Sequence, residues 1–189
     1  MRKVGYIVVF MTVVVLFASC FGNKTNNQAT ETDSIAMEED AFPDSTVYGV
    51  CGEGTSMHSL ELLTDGGDTL TYEVLDEGPE ESLVVGGLLA GDRLAVVGYV
   101  NEEKEHIASK VINLTTLQGK WMSIDKNFEI QEGGIVKSNI KAETNPWVSW
   151  KIYNGQLLLN KDTFQIDGLG ADSLYLENKQ GIFTFKRQK

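Results

Sequence analysis

The sequence predicts an all-β protein made of two small sheet modules in series, and three observations carry that reading. From Thr46 onward the apolar residues fall in short runs broken by Gly, Asn and Asp. Several of these runs alternate apolar with polar residues, the period of a strand buried on one face. No run there is long enough for a helix of ordinary length, and 189 residues leave room for one or two small domains.

The first module spans 46–116. Val47-Tyr48-Gly49-Val50 leads through a bend at Gly52 and Gly54 into Met57 to Leu63, read as one long first strand. Asp65-Gly66-Gly67-Asp68 is a hairpin signal, and Leu70 to Leu75 follows with Leu70, Tyr72 and Val74 on one face. Leu83-Val84-Val85, the turn Ala90-Gly91-Asp92, the run Leu94 to Val100, the charged loop 102–105 and the run Ile107 to Leu114 complete five predicted strands.

The second module, 117–189, opens on Gly119-Lys120-Trp121. Strand-like runs then recur every eight to twelve residues or so, as in sheets with tight turns. They are Phe128 to Ile130, Ile135 to Ile140, Trp147 to Tyr153, Gln156 to Leu159, Thr163 to Ile166, Ser173 to Leu176 and Ile182 to Phe185. Asn154-Gly155 is the strongest hairpin signal, because a type I′ turn needs positive φ at both positions. The stretch is short for a full eight-stranded barrel, so any internal cavity is expected to be small or open.

Ahead of both modules, Arg2 and Lys3 precede an almost unbroken apolar run from Val4 to Ala18. That run falls short of the roughly 18 apolar residues of a membrane-spanning helix. A basic start, an apolar centre and small residues at the end mark a secretory leader over 1–19. Residues 20–45 lack a hydrophobic period and are rich in Asn, Thr, Glu, Asp and Ser, a flexible acidic tether. Loss of Arg2 and Lys3 with the leader would leave 14 basic against 27 acidic residues, a formal charge of −13. Such a field repels phosphate backbones, so nucleic acid is not an expected partner.

Three resemblances follow from these segments. Ala18-Ser19-Cys20 resembles the lipobox of bacterial lipoproteins, with Phe17 where leucine is usual. It implies that the Cys20 thiol receives a diacylglyceryl group, that the bond before it is cut, and that acyl chains hold the protein on the outer membrane. Each buried methylene contributes about 0.8 kcal/mol to such an anchor. Phe21-Gly22-Asn23-Lys24 follows where a surface-export signal would place acidic residues, so the body is expected to face the periplasm.

The glycine-bent first strand, with Leu89-Ala90-Gly91-Asp92-Arg93-Leu94-Ala95-Val96-Val97-Gly98 leading into the fourth, resembles a small five-stranded OB-type barrel over about 46–114. Only Tyr48, Tyr72 and Tyr99 could stack on a ligand there, without a basic groove, so this module is read as a structural adaptor or protein-binding unit.

The order Gly119-x-Trp121, Glu132-Gly133-Gly134, Ser138-Asn139-Ile140, Trp147-x-x-Trp150, Gly155-x-Leu157-x-Leu159, Asp172-Ser173-Leu174-x-Leu176 resembles the lipocalin-like domains of bacterial lipoproteins over about 117–187. That likeness implies an antiparallel up-and-down β-barrel whose first tryptophan plugs a closed end. Known lipoproteins that pair the two folds sense envelope stress, but in the reverse order and with Cys-x-x-Cys motifs, which this chain lacks.

Chemistry-bearing constellations are sparse. His58, His106 and Cys51 could in principle meet as zinc ligands, but none stands at paired ligand spacing, and no metal or other cofactor is expected. Cys51 beside Val47 and Val50 reads as a small core residue. No nucleophile elbow, metalloprotease helix or phosphate loop occurs, and the protein is expected not to be an enzyme.

Trp147, Trp150 and Tyr153 form the densest candidate for ligand binding. Strand parity places Trp147 and Tyr153 on one face and Trp150 on the other, one set in the core and the other outward or on a rim. The expected occupant is a small apolar ligand or an envelope protein. The alternative is a glycan-binding or carbohydrate-active module using these tryptophans with Asp162 or Asp167; simple packing of both indoles in a small barrel is the plainer reading. Cells grown with labelled palmitate should yield a labelled mature protein, and Cys20→Ser should abolish the label and leave the leader uncut.

Overall fold

The computed structural model describes residues 43–75 and 83–189, so the leader, Cys20 and nearly all of the tether lie outside the described residues. The described chain is all-β apart from two short helical turns. Its first sheet comprises β1 (Val47–Cys51), β2 (Ser59–Thr64), β3 (Thr69–Glu73), β4 (Val84–Val85), β5 (Arg93–Val100) and β6 (His106–Asn113). β1, β2 and β3 form an antiparallel meander, and β5 pairs antiparallel with both β1 and β6. A parallel pairing of Tyr72 with His106 and Glu73 with Ile107 closes the five-stranded barrel β1-β2-β3-β6-β5.

Two sequence expectations are corrected here. The run read as one bent first strand is two strands, because the chain reverses fully after Gly52 and Cys51 comes to lie opposite Leu62. Glycine makes the reversal possible: a Cβ at Gly52 would stand 2.0 Å from a carboxylate oxygen of Glu61, and that same side chain accepts the Gly54 N–H at 3.0 Å. Leu83-Val84-Val85, read as a barrel strand, is instead a two-residue appendage, β4, laid parallel along β6. Gly49 has the same logic within β1, where a Cβ would meet the Leu63 carbonyl at 2.5 Å as β1 coils between β2 and β5.

The second sheet comprises β7 (Gly119–Met122), β8 (Asn127–Gln131), β9 (Ile135–Ser138), β10 (Trp150–Tyr153), β11 (Gln156–Leu159), β12 (Asp162–Leu169), β13 (Ser173–Asn178) and β14 (Gly181–Arg187). Each strand pairs antiparallel with the next except at β9 and β10, where only an Ile135–Ser149 bridge and a Val136 N–H to Val148 carbonyl bond join the wall. β14 returns to β7, so the eight strands make a nearly closed up-and-down barrel. Tight turns let eight strands fit in so short a stretch. Asn154-Gly155, with φ of 47° and 80°, is the left-handed two-residue turn its sequence demands.

Trp121, Phe128, Ile130, Ile152, Leu157, Leu159, Leu174, Leu176 and Phe185 fill the interior. The two barrels share this core. On β5, Leu94 and Val96 point into the first barrel while Ala95 packs with the second, and Val111 and Ile112 divide in the same way on β6.

Between the barrels lies α1 (Leu114–Leu117), capped by Asn113, whose Oδ1 accepts the Thr116 N–H at 2.9 Å. The Asn113 amide also donates to the Gly87 carbonyl at 3.0 Å and to Asp92 at 2.6 Å, tying three loops together. Arg187, at the end of β14, reaches back to this junction. Its guanidinium lies 4.2 Å from the centre of the Trp121 ring and donates to the carbonyls of Thr116, Gln118 and Ala171. Trp121 is fully buried and donates to the Leu117 carbonyl at 2.8 Å.

Arg187→Ala should therefore lower the stability read from a urea unfolding midpoint by about 2 kcal/mol or more, since charged hydrogen bonds and a cation–π contact go together. Arg187→Lys should recover less than half, because one ammonium cannot reach three carbonyls and stack as a planar fork does.

Candidate functional site

The ends of the second barrel differ. The turns at Gly133, Asn154 and Ala171 lie at the end that meets the first barrel: Gly155 packs on Lys110, the Tyr48 hydroxyl donates to the Ile152 carbonyl at 2.9 Å, and Gly86 N–H bonds to the Leu169 carbonyl. The described chain also begins there, with Asn154 Oδ1 accepting from the Ser45 backbone N–H at 2.8 Å and Asn154 Nδ2 donating to the Pro43 carbonyl. Strand direction sends the β7–β8, β11–β12 and β13–β14 turns to the opposite end. At that far end opens a cup of about 680 Å³.

Trp147, Phe164 and Phe185 floor the cup, and Met122, Ile124, Ile182 and Phe183 stand at its rim. The floor is a cluster of edge-to-face rings, with Trp147 5.1 Å from Phe128 and 5.7 Å from Phe164, and Phe164 5.9 Å from Phe183. The rim is exposed to an extent unusual for apolar residues: Ile124 fully, Ile182 at 61% and Met122 at 44%.

Polar groups around the cup are mostly engaged. Trp147 donates its indole N–H to Asp162 at 3.2 Å. Lys126 sits 4.6 Å above the centre of the Trp147 ring and pairs with Glu143, whose second oxygen accepts from Ser138. Burial works against ionisation of Glu143, yet the hydrogen bonds from Lys126 and Ser138, with the Lys126 charge, outweigh it and hold this carboxyl below the usual carboxylate range. The triad pins the 139–146 loop against the barrel mouth.

Of the residues singled out in the sequence, Trp147 and Asp162 line the cup. The parity argument that sends Trp150 to the opposite face fails, because 147 and 148 are not strand and β10 begins only at Trp150. Both indoles turn inward, with Trp147 8% and Trp150 9% exposed, and Trp150 donates to the Gln131 carbonyl at 2.7 Å, away from the mouth. Tyr153 is half-buried beside Asn154, with the Lys151 ammonium 4.7 Å from the centre of its ring. Asp167 is on β12 and exposed, while Asp162 is held by Trp147.

In the first barrel, Cys51 is 2% exposed, His58 lies on the surface and His106 meets Tyr72 edge-on at 5.4 Å. Among the described residues no three His, Cys, Asp or Glu side chains gather as a metal site, and no helix is long and apolar enough to cross a membrane. Sequence reasoning missed Ile124, Ile182, Phe183 and the Lys126–Glu143 pair. An isoleucine inside the polar turn Ser123-Ile124-Asp125 was the available signal. Compared with protein-family models, curated proteins and solved structures, the chain matches none.

The Glu143 carboxyl, depressed in the folded state, contributes stability that is present above its unfolded pKa, about 4.3, and is lost as pH falls through its lower folded value. The stability difference between the wild type and Glu143→Gln should accordingly be constant near neutrality and shrink below about pH 4, as followed by thermal melts across pH.

Proposed function

We propose that the chain is a non-catalytic, lipid-anchored envelope protein whose second barrel takes an apolar group from solution in the cup. The observation that carries this reading is the cup itself. Four apolar residues are left in water around an aromatic floor, at the end of the barrel remote from where the described chain begins. If Cys20 is acylated, that placement lets the cup point away from the anchoring membrane and toward a ligand or partner in the periplasm. The OB-like barrel, sharing a core with the second, serves as a rigid mount.

The carboxylates whose ionisation is displaced offer no candidate general acid among the described residues. Asp65, hydrogen-bonded by Arg93, Glu143 as above, and Asp44, where bonds from Thr46 and Asn154 outweigh burial, all sit below the ordinary range. A general acid needs the opposite displacement. A sugar-stacking platform has weaker support, since Trp147 and Trp150 keep little indole surface in contact with solvent.

A polyene fatty acid that fluoresces in apolar surroundings should brighten on adding the protein and be displaced by unlabelled acyl chains. Phe183→Ser, which alters the rim without emptying the interior, should weaken that signal about fivefold or more, in proportion to the apolar area lost. No brightening with the wild type would remove the reading.

A further inference from the structure

We propose that the cup is a strand-addition site, and that its occupant is a single extended peptide segment of a partner protein that pairs with the free edge of β14. The inference rests on the binding reading above and specifies what is bound. It begins from a mismatch in length. β14 has seven residues, pairs with β13 from Gly181 to Lys186, but meets β7 only through Lys186 with Met122 and Arg187 with Trp121. β7 has four residues and turns away at Ser123, where the Ser123 N–H bonds to the Lys126 carbonyl at 2.7 Å. The wall between Gly181 and Phe185 is therefore open on the β7 side.

Backbone direction shows which groups face the opening. In an antiparallel strand alternate residues aim their N–H and C=O at opposite neighbours. The Gln188 N–H bonds to the Lys120 carbonyl of β7, whereas the Arg187 N–H bonds to the Asp172 carbonyl on the β13 side. Even-numbered residues of β14 thus face β7, so Ile182 and Thr184 present their N–H and C=O groups to the slot without a strand partner. The lining agrees: the cup is bordered by consecutive residues of β14 and by Met122 to Lys126, as a groove along a strand edge must be, with Trp147, Phe164 and Phe185 beneath.

Natural sheets guard such edges with Lys, Pro or a bulge. Gly181-Ile182-Phe183-Thr184-Phe185 carries none of these, and β14 keeps regular register with β13 throughout. An acyl chain would use the apolar floor and leave four backbone groups unused. An extended peptide uses both, continuing the ladder that Met122 and Trp121 have begun and dropping alternate side chains onto the rings. Its central residues should not be acidic, because Lys126 on the lining is already paired with Glu143, which leaves Asp125 and Asp162 against Lys186. The turn at Ser123 to Lys126 borders the other side of the slot.

The test uses the full mature chain and a phage-displayed library of nonapeptides alternating apolar and polar residues, whose enriched members are resynthesised with blocked ends. Binding should protect the Ile182 and Thr184 amides from hydrogen exchange. N-methylation of the peptide amides that face β14 should weaken binding at least about tenfold, as loss of ladder bonds predicts. Thr184→Pro should do the same with an unchanged melting temperature, since this amide points away from β13 and an edge strand tolerates proline.

Absence of enriched peptides, or binding indifferent to N-methylation, overturns strand addition; if the polyene fatty acid still brightens, the apolar-ligand reading survives, and if it does not, both fall. Protection of the two amides before any peptide is added also overturns it, with sedimentation identifying a second copy and deletion of 20–42 identifying the chain's own tether as the occupant.

Discussion

The second barrel closes where its first and last strands meet, and the Arg187 side chain reinforces that seam. Arg187 ends the last strand, covers the tryptophan of the first, and donates to carbonyls on both sides of the module boundary. Closing an up-and-down barrel requires the first and last strands to meet, and here they do so over only two residue pairs. So short a ladder would fray without a further tie. The guanidinium supplies it by satisfying carbonyls around α1 while shielding Trp121, and the rest of the architecture follows from where that closure is made. It lies at the end that packs on the first barrel, so that end is sealed and rigid.

The opposite end inherits what closure there leaves over. β7 begins and β14 ends at the sealed end, and the two separate beyond Met122, which leaves a slot, a free strand edge and an aromatic floor in one place. The Lys126–Glu143–Ser138 latch limits how far the mouth can widen, because it ties the long β9–β10 connection to the β7–β8 turn. Packing below the floor is dense, with Phe128 and Leu157 almost wholly excluded from water, so an occupant meets a preformed surface and not a collapsible cavity. A rigid, partly apolar surface beside unsatisfied backbone groups favours ligands that can themselves form a ladder.

Sharing of core between the modules has an energetic corollary. Ala95 and Ile112 belong to strands of the first barrel but are buried with residues of the second, while the first barrel keeps an interior of its own around Leu60, Leu62, Leu94 and Val111. Small domains are marginally stable because they bury a modest fraction of their surface. Fusing two of them through α1 and the Asn113 network raises that fraction and fixes their relative orientation.

Much of this was legible in the sequence. Apolar runs placed the seven strands β8 to β14 of the second sheet in order, and Asn154-Gly155 fixed a hairpin because few other residues accept two positive φ angles. Periodicity and turn chemistry are local, so the chain alone carries them. What it could not carry was distance. The reversal at Gly52 depends on Glu61 folding over it, the fate of the Trp147 and Trp150 indoles depends on where β10 begins, and the slot depends on β7 being three residues shorter than its partner. Those are comparisons between segments far apart in sequence, and only the packed tertiary structure brings their lengths and faces together.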